Sequence, residues 1–270
     1  MDFTNVWSVY FSATGTTQAV VSGIARRIAV KSRVKYNQID FTLPNMREEV
    51  MSFRAEDLVV FGVPVYAGRV PNVLLKYLQT IKGNGATVVP IVVYGNRNYD
   101  DALIELADIL AKDGFKSVAA AAFIGEHSFS NILAKGRPDD RDKNTMKDFA
   151  DKVMNACKNP PEALKIAGEP YPYREYYKPR DRNKNAVDIR KAKPRTNTNC
   201  NDCRLCADIC PMGSIDYENV KRYIGICIKC GACIKGCPQH AKYFGDKDYL
   251  YHKSELEEMC RERREPELFL

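Results

Sequence analysis

No apolar stretch in this sequence is long enough to cross a bilayer. The longest uninterrupted run, Val118 to Ile124, falls far short of the ~20 residues a spanning helix needs. Met1-Asp2-Phe3-Thr4 opens no signal peptide, because no basic segment precedes an apolar core. The dinucleotide fingerprint GxGxxG is missing, which argues against direct use of NAD(P)H. These absences leave a soluble, cytoplasmic chain without membrane insertion as the expectation. The 270 residues, 45% hydrophobic and 28% charged, are globular in composition, too many for one ordinary domain and comfortable for two. Ten cysteines are the anomaly, and eight fall between Cys200 and Cys237. In a reducing compartment that density argues for metal and against disulfides.

The net charge of +7 invites a nucleic-acid reading, but its distribution does not support one. Nine basic residues lie between Arg174 and Arg195 (Arg174, Lys178, Arg180, Arg182, Lys184, Arg190, Lys191, Lys193, Arg195), against Glu175, Asp181 and Asp188. Pro172 and Pro179 stand there among Tyr171, Tyr173, Tyr176 and Tyr177. No stacking platform or base-reading fold accompanies the run, so it reads as an extended, solvated connector over 159–195.

Residues 1–158 alternate two periodicities. Val6 to Phe11, Val34 to Ile39, Leu58 to Val63, Val88 to Tyr94 and Val118 to Ile124 are short β-branched and aromatic runs. Between them helical spacing appears, in Val20, Ile24, Ile28, then Leu74, Leu78, Ile81, then Ala102, Leu106, Ile109; a last helix carries Met146, Phe149 and Val153. Five strands alternating with helices predict an α/β, doubly wound parallel sheet that binds ligands beyond the carboxyl ends of its strands.

Three loops fall at such ends. Ser12-Ala13-Thr14-Gly15-Thr16-Thr17 joins a strand to a helix, and its hydroxyls and backbone N–H groups make an anion nest. It has no lysine, so the Walker pattern is unmet and a single phosphate monoester suits it; a helix cap by Thr14 or Thr16 is the plainer reading. The second loop runs from Gly62 to Pro71, with Pro64, Val65, Tyr66, Ala67 and Gly68 as its candidates beside Arg69, and the third from Tyr94 to Asp100, with Tyr94, Gly95, Asn96, Arg97 and Tyr99. Both suit the edge and face of a flat polar ring, although glycine and asparagine also make ordinary turns. His127, in Glu126-His127-Ser128-Phe129-Ser130, lies at the same edge as a candidate proton relay or a structural histidine.

Together these loops resemble the flavodoxin family. The resemblance implies a sheet in the order 2-1-3-4-5 and noncovalent FMN, with Ser12 to Thr17 on the phosphate and the other two loops flanking the ring. Two departures stand out. The loop after the third strand has no tryptophan, which many flavodoxins stack on the flavin. Arg69 and Arg97 stand where many flavodoxins are acidic, and positive charge there should favour the reduced, anionic ring.

Cys200-x2-Cys203-x2-Cys206-x3-Cys210-Pro211 recurs 27 residues later as Cys227-x2-Cys230-x2-Cys233-x3-Cys237-Pro238, an internal duplication. Zinc sites use four ligands in two pairs and do not explain three evenly spaced cysteines plus Cys-Pro, twice. The pattern is similar to the bacterial two-cluster ferredoxins, in which the fourth cysteine of each run serves the other cluster. That resemblance assigns Cys200, Cys203, Cys206 and Cys237 to one [4Fe-4S] cluster and Cys227, Cys230, Cys233 and Cys210 to a second. It places a small α+β ferredoxin domain at 196–250, followed by a charged tail at 251–270. Cys157 continues an apolar helix face, and Cys260 has no evident partner.

A flavodoxin-like module joined to a two-cluster ferredoxin module resembles the flavodoxin–ferredoxin fusion proteins of anaerobic microbes. It implies single-electron exchange between clusters and FMN, with redox proteins as donor and acceptor and no nucleic acid. The alternative is an FMN-dependent reductase of a quinone or nitro compound, fed by its own ferredoxin domain, with Arg69, Arg97 and His127 contacting the substrate.

Overall fold

The computed structural model describes residues 3–181 and 183–270. Met1 and Asp2, and Arg182 of the basic run, lie outside the described residues. The central strands form because their residues are apolar on both faces. β3 (Asp57–Pro64), β4 (Thr87–Tyr94) and β6 (Ala120–Ile124) are buried almost throughout, as strands covered by helices on both sides must be. β1 (Asn5–Tyr10) pairs in parallel with β3 on one side and with β2 (Lys35–Asp40), a half-exposed edge strand, on the other. The parallel order β2-β1-β3-β4-β6 is the 2-1-3-4-5 order expected, once β6 is counted as the fifth strand.

That fifth strand is interrupted. Its first piece, β5 (Lys116–Ser117), pairs with β4 at Val88↔Ser117, whereas β6 pairs at Ile91↔Ala121. One extra residue between those registers makes a bulge, so the sheet has two strands where the apolar run predicts one.

Helices α1 (Thr16–Ser32) and α4 (Asp140–Lys158) cover one face, burying Val20, Ile24, Ile28, Met146, Phe149 and Val153 in one core. Cys157 closes that core, and burial pushes its thiol up to about 11. Helices α2 (Asn72–Leu78) and α3 (Ala102–Lys112) cover the other face with Leu74, Leu78, Leu106 and Ile109.

Two sequence expectations are corrected here. The connector is not a solvated linker throughout, because its tyrosines and Arg174 strap across the sheet domain. The Tyr173 hydroxyl donates to Asp108 at 2.6 Å and the Tyr176 hydroxyl to the Val70 carbonyl at 2.8 Å. Arg174 pairs with Asp101, a fully buried carboxylate that also accepts the Glu169 and Arg174 backbone N–H groups. Burial raises the Asp101 carboxyl, but Arg174 and the two N–H groups outweigh it and hold it down at about 2. A buried charge needs partners, and the connector supplies them.

Nor is 251–270 a free charged tail. Helix α7 (Lys247–Met259) leads to β9 (Glu267–Phe269), which pairs antiparallel with β6 at Ala120↔Phe269 and Ala122↔Glu267. The charges are spent on anchoring it: Arg137 donates to the Arg264 carbonyl at 2.7 Å, and Arg141 pairs with Glu265 at 2.9 Å. β9 covers what would otherwise be an open edge.

The cysteine region holds a ribbon of β7 (Arg195–Thr196) and β8 (Lys242–Tyr243) and two single-turn helices, α5 (Leu205–Asp208) and α6 (Ala232–Lys235). The duplication extends to the backbone. Asp202 and Lys229 share φ 54° and 57°, Arg204 and Gly231 share 63° and 78°, and Gly213 and His240 share 56° and 48°. A small separate core of Phe244, Tyr249 and Ala192, with Phe129 and Ile234 packed against it, joins this region to the sheet domain. Phe244 stacks on Tyr249 at 3.8 Å.

Candidate flavin pocket and cysteine sites

The first loop leaves β1 and enters α1 through Gly15, whose φ of 84° is left-handed. Neither Thr14 nor Thr16 caps that helix, so that expectation does not hold. The hydroxyl of Ser12 instead accepts the Gln18 N–H at 3.0 Å, while the Ser12 N–H donates to Thr42 Oγ1 at 2.8 Å. This bracing shapes the loop, takes one first-turn N–H, and leaves the rest of the positive end of a 17-residue helix to an anion.

Ala13, Thr14, Thr16 and Thr17 line a cavity together with Pro64, Val65, Tyr66, Tyr94, Gly95, Glu126, His127, Ser128 and Cys230. The gap, its open mouth included, is about 470 Å³. It lies at the carboxyl ends of β1, β3, β4 and β6, beside the β1/β3 switch point. A helix N-terminus capped only by Ser12, hydroxyls beside it and Tyr66 at the cavity wall fit a phosphate joined to a flat ring. Thr14, Thr16, Thr17 and the α1 backbone would hold the phosphate; Tyr66 and the backbone of Val65, Tyr94 and Gly95 would flank the ring, while the Tyr94 side chain packs in the core against Tyr99.

Other expected flavin residues point elsewhere. The Asn96 amide donates to the carbonyls of Cys260 at 2.7 Å and Glu262 at 2.8 Å, and its oxygen accepts from Arg264 N–H. Tyr99 donates to Glu267 at 2.7 Å. Both clamp the segment that leads to β9. The Ala67 carbonyl accepts the Tyr177 N–H at 2.8 Å, and Gly68 is pressed against Asp100. Arg69 is bidentate on buried Glu105 and sits between the rings of Tyr173 and Tyr176, while Arg97 pairs with Asp100 beneath Tyr177. Neither arginine lines the cavity, and each is paired with a carboxylate away from the expected ring site. Apart from Asp100, three residues beyond Arg97, the partners are distant along the chain, and no sequence signal marked those diversions.

His127 lines the cavity as a neutral donor. Its Nδ1 accepts the Phe129 N–H at 3.0 Å, which leaves the proton on Nε2. Burial, then the nearby His252, Lys235 and Arg97 charges, lower its pKa from 6.5 to about 4. Such an imidazole donates a hydrogen bond at neutral pH but stores no proton for relay. His252, stacked on Tyr177, is likewise lowered to about 4, by burial and then by Arg97. Between pH 6.5 and 4 the unfolded chain binds protons that these two native imidazoles refuse, so stability is lost as pH falls through that window and is unaffected by them above it. The effect is up to about 3 kcal/mol per histidine. Denaturant unfolding at pH 7 and pH 5 should therefore show a shallower acid loss for His252→Gln than for the wild type; equal slopes would contradict this.

The cysteines gather in two sets. Cys206, raised by burial, lies among Cys200, Cys237 and Cys203. Cys233, also raised by burial, lies among Cys230, Cys227 and Cys210. Burial pushes the Cys230 thiol up to about 12. Among the described residues no three His, Cys, Asp or Glu side chains converge as they would on a single ion. The Ser214 N–H donates to Cys210 Sγ and the Ala241 N–H to Cys237 Sγ, both at 3.3 Å and 27 residues apart. Such bonds tune cluster potential.

Cys230 is the residue that sequence reasoning missed at the cavity. Tyr66 lies beside it, with its hydroxyl pKa driven well up by burial and by the Cys230 and Cys227 thiols. Arg47 fixes the modules from another side, donating to the Thr42 and Pro211 carbonyls at 2.6 Å each.

Residues 199–242 match the 4Fe-4S dicluster domain family. No curated protein matches the chain. Among solved structures, the chain is similar to oxidised flavodoxin 1 from Bacillus cereus at 18% identity, covering 56% of this chain and 97% of that one with a TM-score of 0.42. A mutant Fusobacterium nucleatum flavodoxin bound to flavin mononucleotide is 15% identical, with 59% and 99% covered and a TM-score of 0.39. The strand order itself makes the N-terminal part flavodoxin-like. Among the described residues no helix is long and apolar enough to cross a membrane.

Proposed function

We propose that this chain, a flavodoxin-like fold joined to a 4Fe-4S dicluster domain, is an electron carrier that exchanges single electrons between two [4Fe-4S] clusters and FMN, and passes them to or from redox proteins. One observation carries the reading: Cys230 of the second cysteine set lines the same cavity as Thr14, Thr16 and Thr17. Clusters supply one-electron chemistry and FMN accepts one or two electrons. The protein's part is to bind and enclose. Thr14, Thr16, Thr17 and the start of α1 take the phosphate, Tyr66 flanks the ring, and His127 offers a fixed Nε2–H donor. Cys230 forms part of the cavity wall.

A reductase of small acceptors finds less support, because Arg69 and Arg97 are bound to Glu105 and Asp100 and the cavity wall is a cluster ligand. Anaerobic analysis of the purified chain should give one FMN and about eight iron atoms. Zinc, or no flavin after reconstitution, would sink the reading.

A further inference from the structure

The two cysteine motifs share a backbone but not their surroundings. Three paired positions differ in size and charge: Arg204, Leu205 and Asp208 in the first correspond to Gly231, Ala232 and Lys235 in the second. The first trio borders solvent. Leu205 is 38% exposed, Asp208 is exposed, and so is the neighbouring Cys203. The second trio faces the 126–130 loop of the sheet domain. Ala232 is 3% exposed, and Lys235 pairs with Glu126 and donates to the Ser130 carbonyl at 2.8 Å.

At Gly231 the approach is closest. A Cβ there would lie 2.7 Å from the Ser128 carbonyl oxygen, and that obstacle is backbone, which cannot swing aside. The left-handed φ of 78° does not by itself demand glycine, since Arg204 adopts 63° at the paired position. Crowding demands it.

We propose that Gly231 is a positioning residue that seats the second cysteine set on the flavin pocket. The cluster on Cys210, Cys227, Cys230 and Cys233 is then the flavin-proximal one, and the set containing Cys203 faces the solvent. This inference rests on the reading above, that the cavity takes FMN and the cysteines take clusters. Arg204, Leu205 and Asp208 keep the outer edge from seating in the same way, because an arginine cannot occupy the space that a missing Cβ leaves. The duplication supplies two equivalent edges, and side-chain size decides which one docks.

The test uses the full chain, anaerobically loaded, as wild type, Gly231→Asn and Gly213→Asn. Gly213 is the control for conformation alone: its φ is 56° and the nearest atom to an added Cβ is Pro44 Cγ at 3.7 Å. Three quantities are read: iron content, carbodiimide coupling of Lys235 to Glu126 by peptide mass, and the rate of FMN bleaching after the clusters are reduced. Gly213→Asn should match the wild type in all three. Gly231→Asn should keep its iron, lose the coupling, and bleach roughly tenfold more slowly or worse, as misplaced reacting groups do. Undiminished coupling with a wild-type bleaching rate overturns the proposal. If Gly231→Asn fails to hold iron, Gly231→Ala, which adds the Cβ alone, is judged by the same coupling. A wild type that takes up no FMN defeats the reading of function, and the coupling still decides the seating.

Discussion

Cys210→Ala should strip the chain of the cluster built on Cys227, Cys230 and Cys233, although Cys210 belongs to the other motif. The structure sets Cys210 among those three thiols, with its sulfur accepting the Ser214 N–H at 3.3 Å. Iron should fall from about eight to about four atoms per chain. The first set keeps its fourth member, Cys237. Its stability should still drop, because Cys206 and Cys233 share one small core with Ile215 and Val220 and the metal contributes to folding. Flavin reduction should slow far more in Cys210→Ala than in Cys237→Ala, since only the former empties the set that borders the flavin cavity. Anaerobic EPR, iron analysis and rapid mixing on the two variants separate the cases. The reverse ranking would show that each motif holds its own cluster.

Gly15→Val should abolish tight FMN binding while leaving the iron untouched. With φ at 84°, a β-branched residue at the start of α1 is strained by about 1–3 kcal/mol. No atom lies within 4 Å of an added Cβ, so the chain has room for the side chain but not for its conformation. Relief of that strain turns the first N–H groups of α1 away from the phosphate they would cradle. Thr14→Ala is milder, at about 1.5–3 kcal/mol for one charge-assisted hydrogen bond. FMN titration into flavin-free protein measures both. Wild-type affinity in Gly15→Val would reduce the loop to a plain helix start.

How far these sites could be read from the sequence follows from how local each is. Val88 to Tyr94 announces a covered parallel strand because every residue is apolar, and Ser12 to Thr17 announces an anion nest because its hydroxyls and Gly15 are contiguous. The cysteine spacing is equally local. Asn96 and Tyr99 mislead because their partners, the Cys260 carbonyl and Glu267, lie more than 160 residues away. The tyrosine-rich connector misleads because its role depends on the burial of Asp101 and Glu105, which no periodicity of a charged residue reveals. For the C-terminal segment a signal was present: Tyr249, His252 and Leu256 recur at helical spacing, and Leu268-Phe269 follows the charged stretch. The seating of Gly231 was half visible, as small residues in one motif where its duplicate carries large ones.

The return of β9 to the edge of β6 gives the molecule an architecture that end-to-end fusion would not. Topologically the cysteine domain is an insertion, entered through the connector and left through α7, with both ends made fast to the same sheet. A module on one flexible tether meets its neighbour at an effective concentration set by linker length and stiffness. A module held at two points samples little besides its docked pose. Spacing between the redox sites is thus governed by strand register and side-chain packing, and lengthening a surface turn of the connector would leave it unchanged. The same double anchorage keeps the halves together after a single backbone nick, so in this chain cleavage and separation are different events.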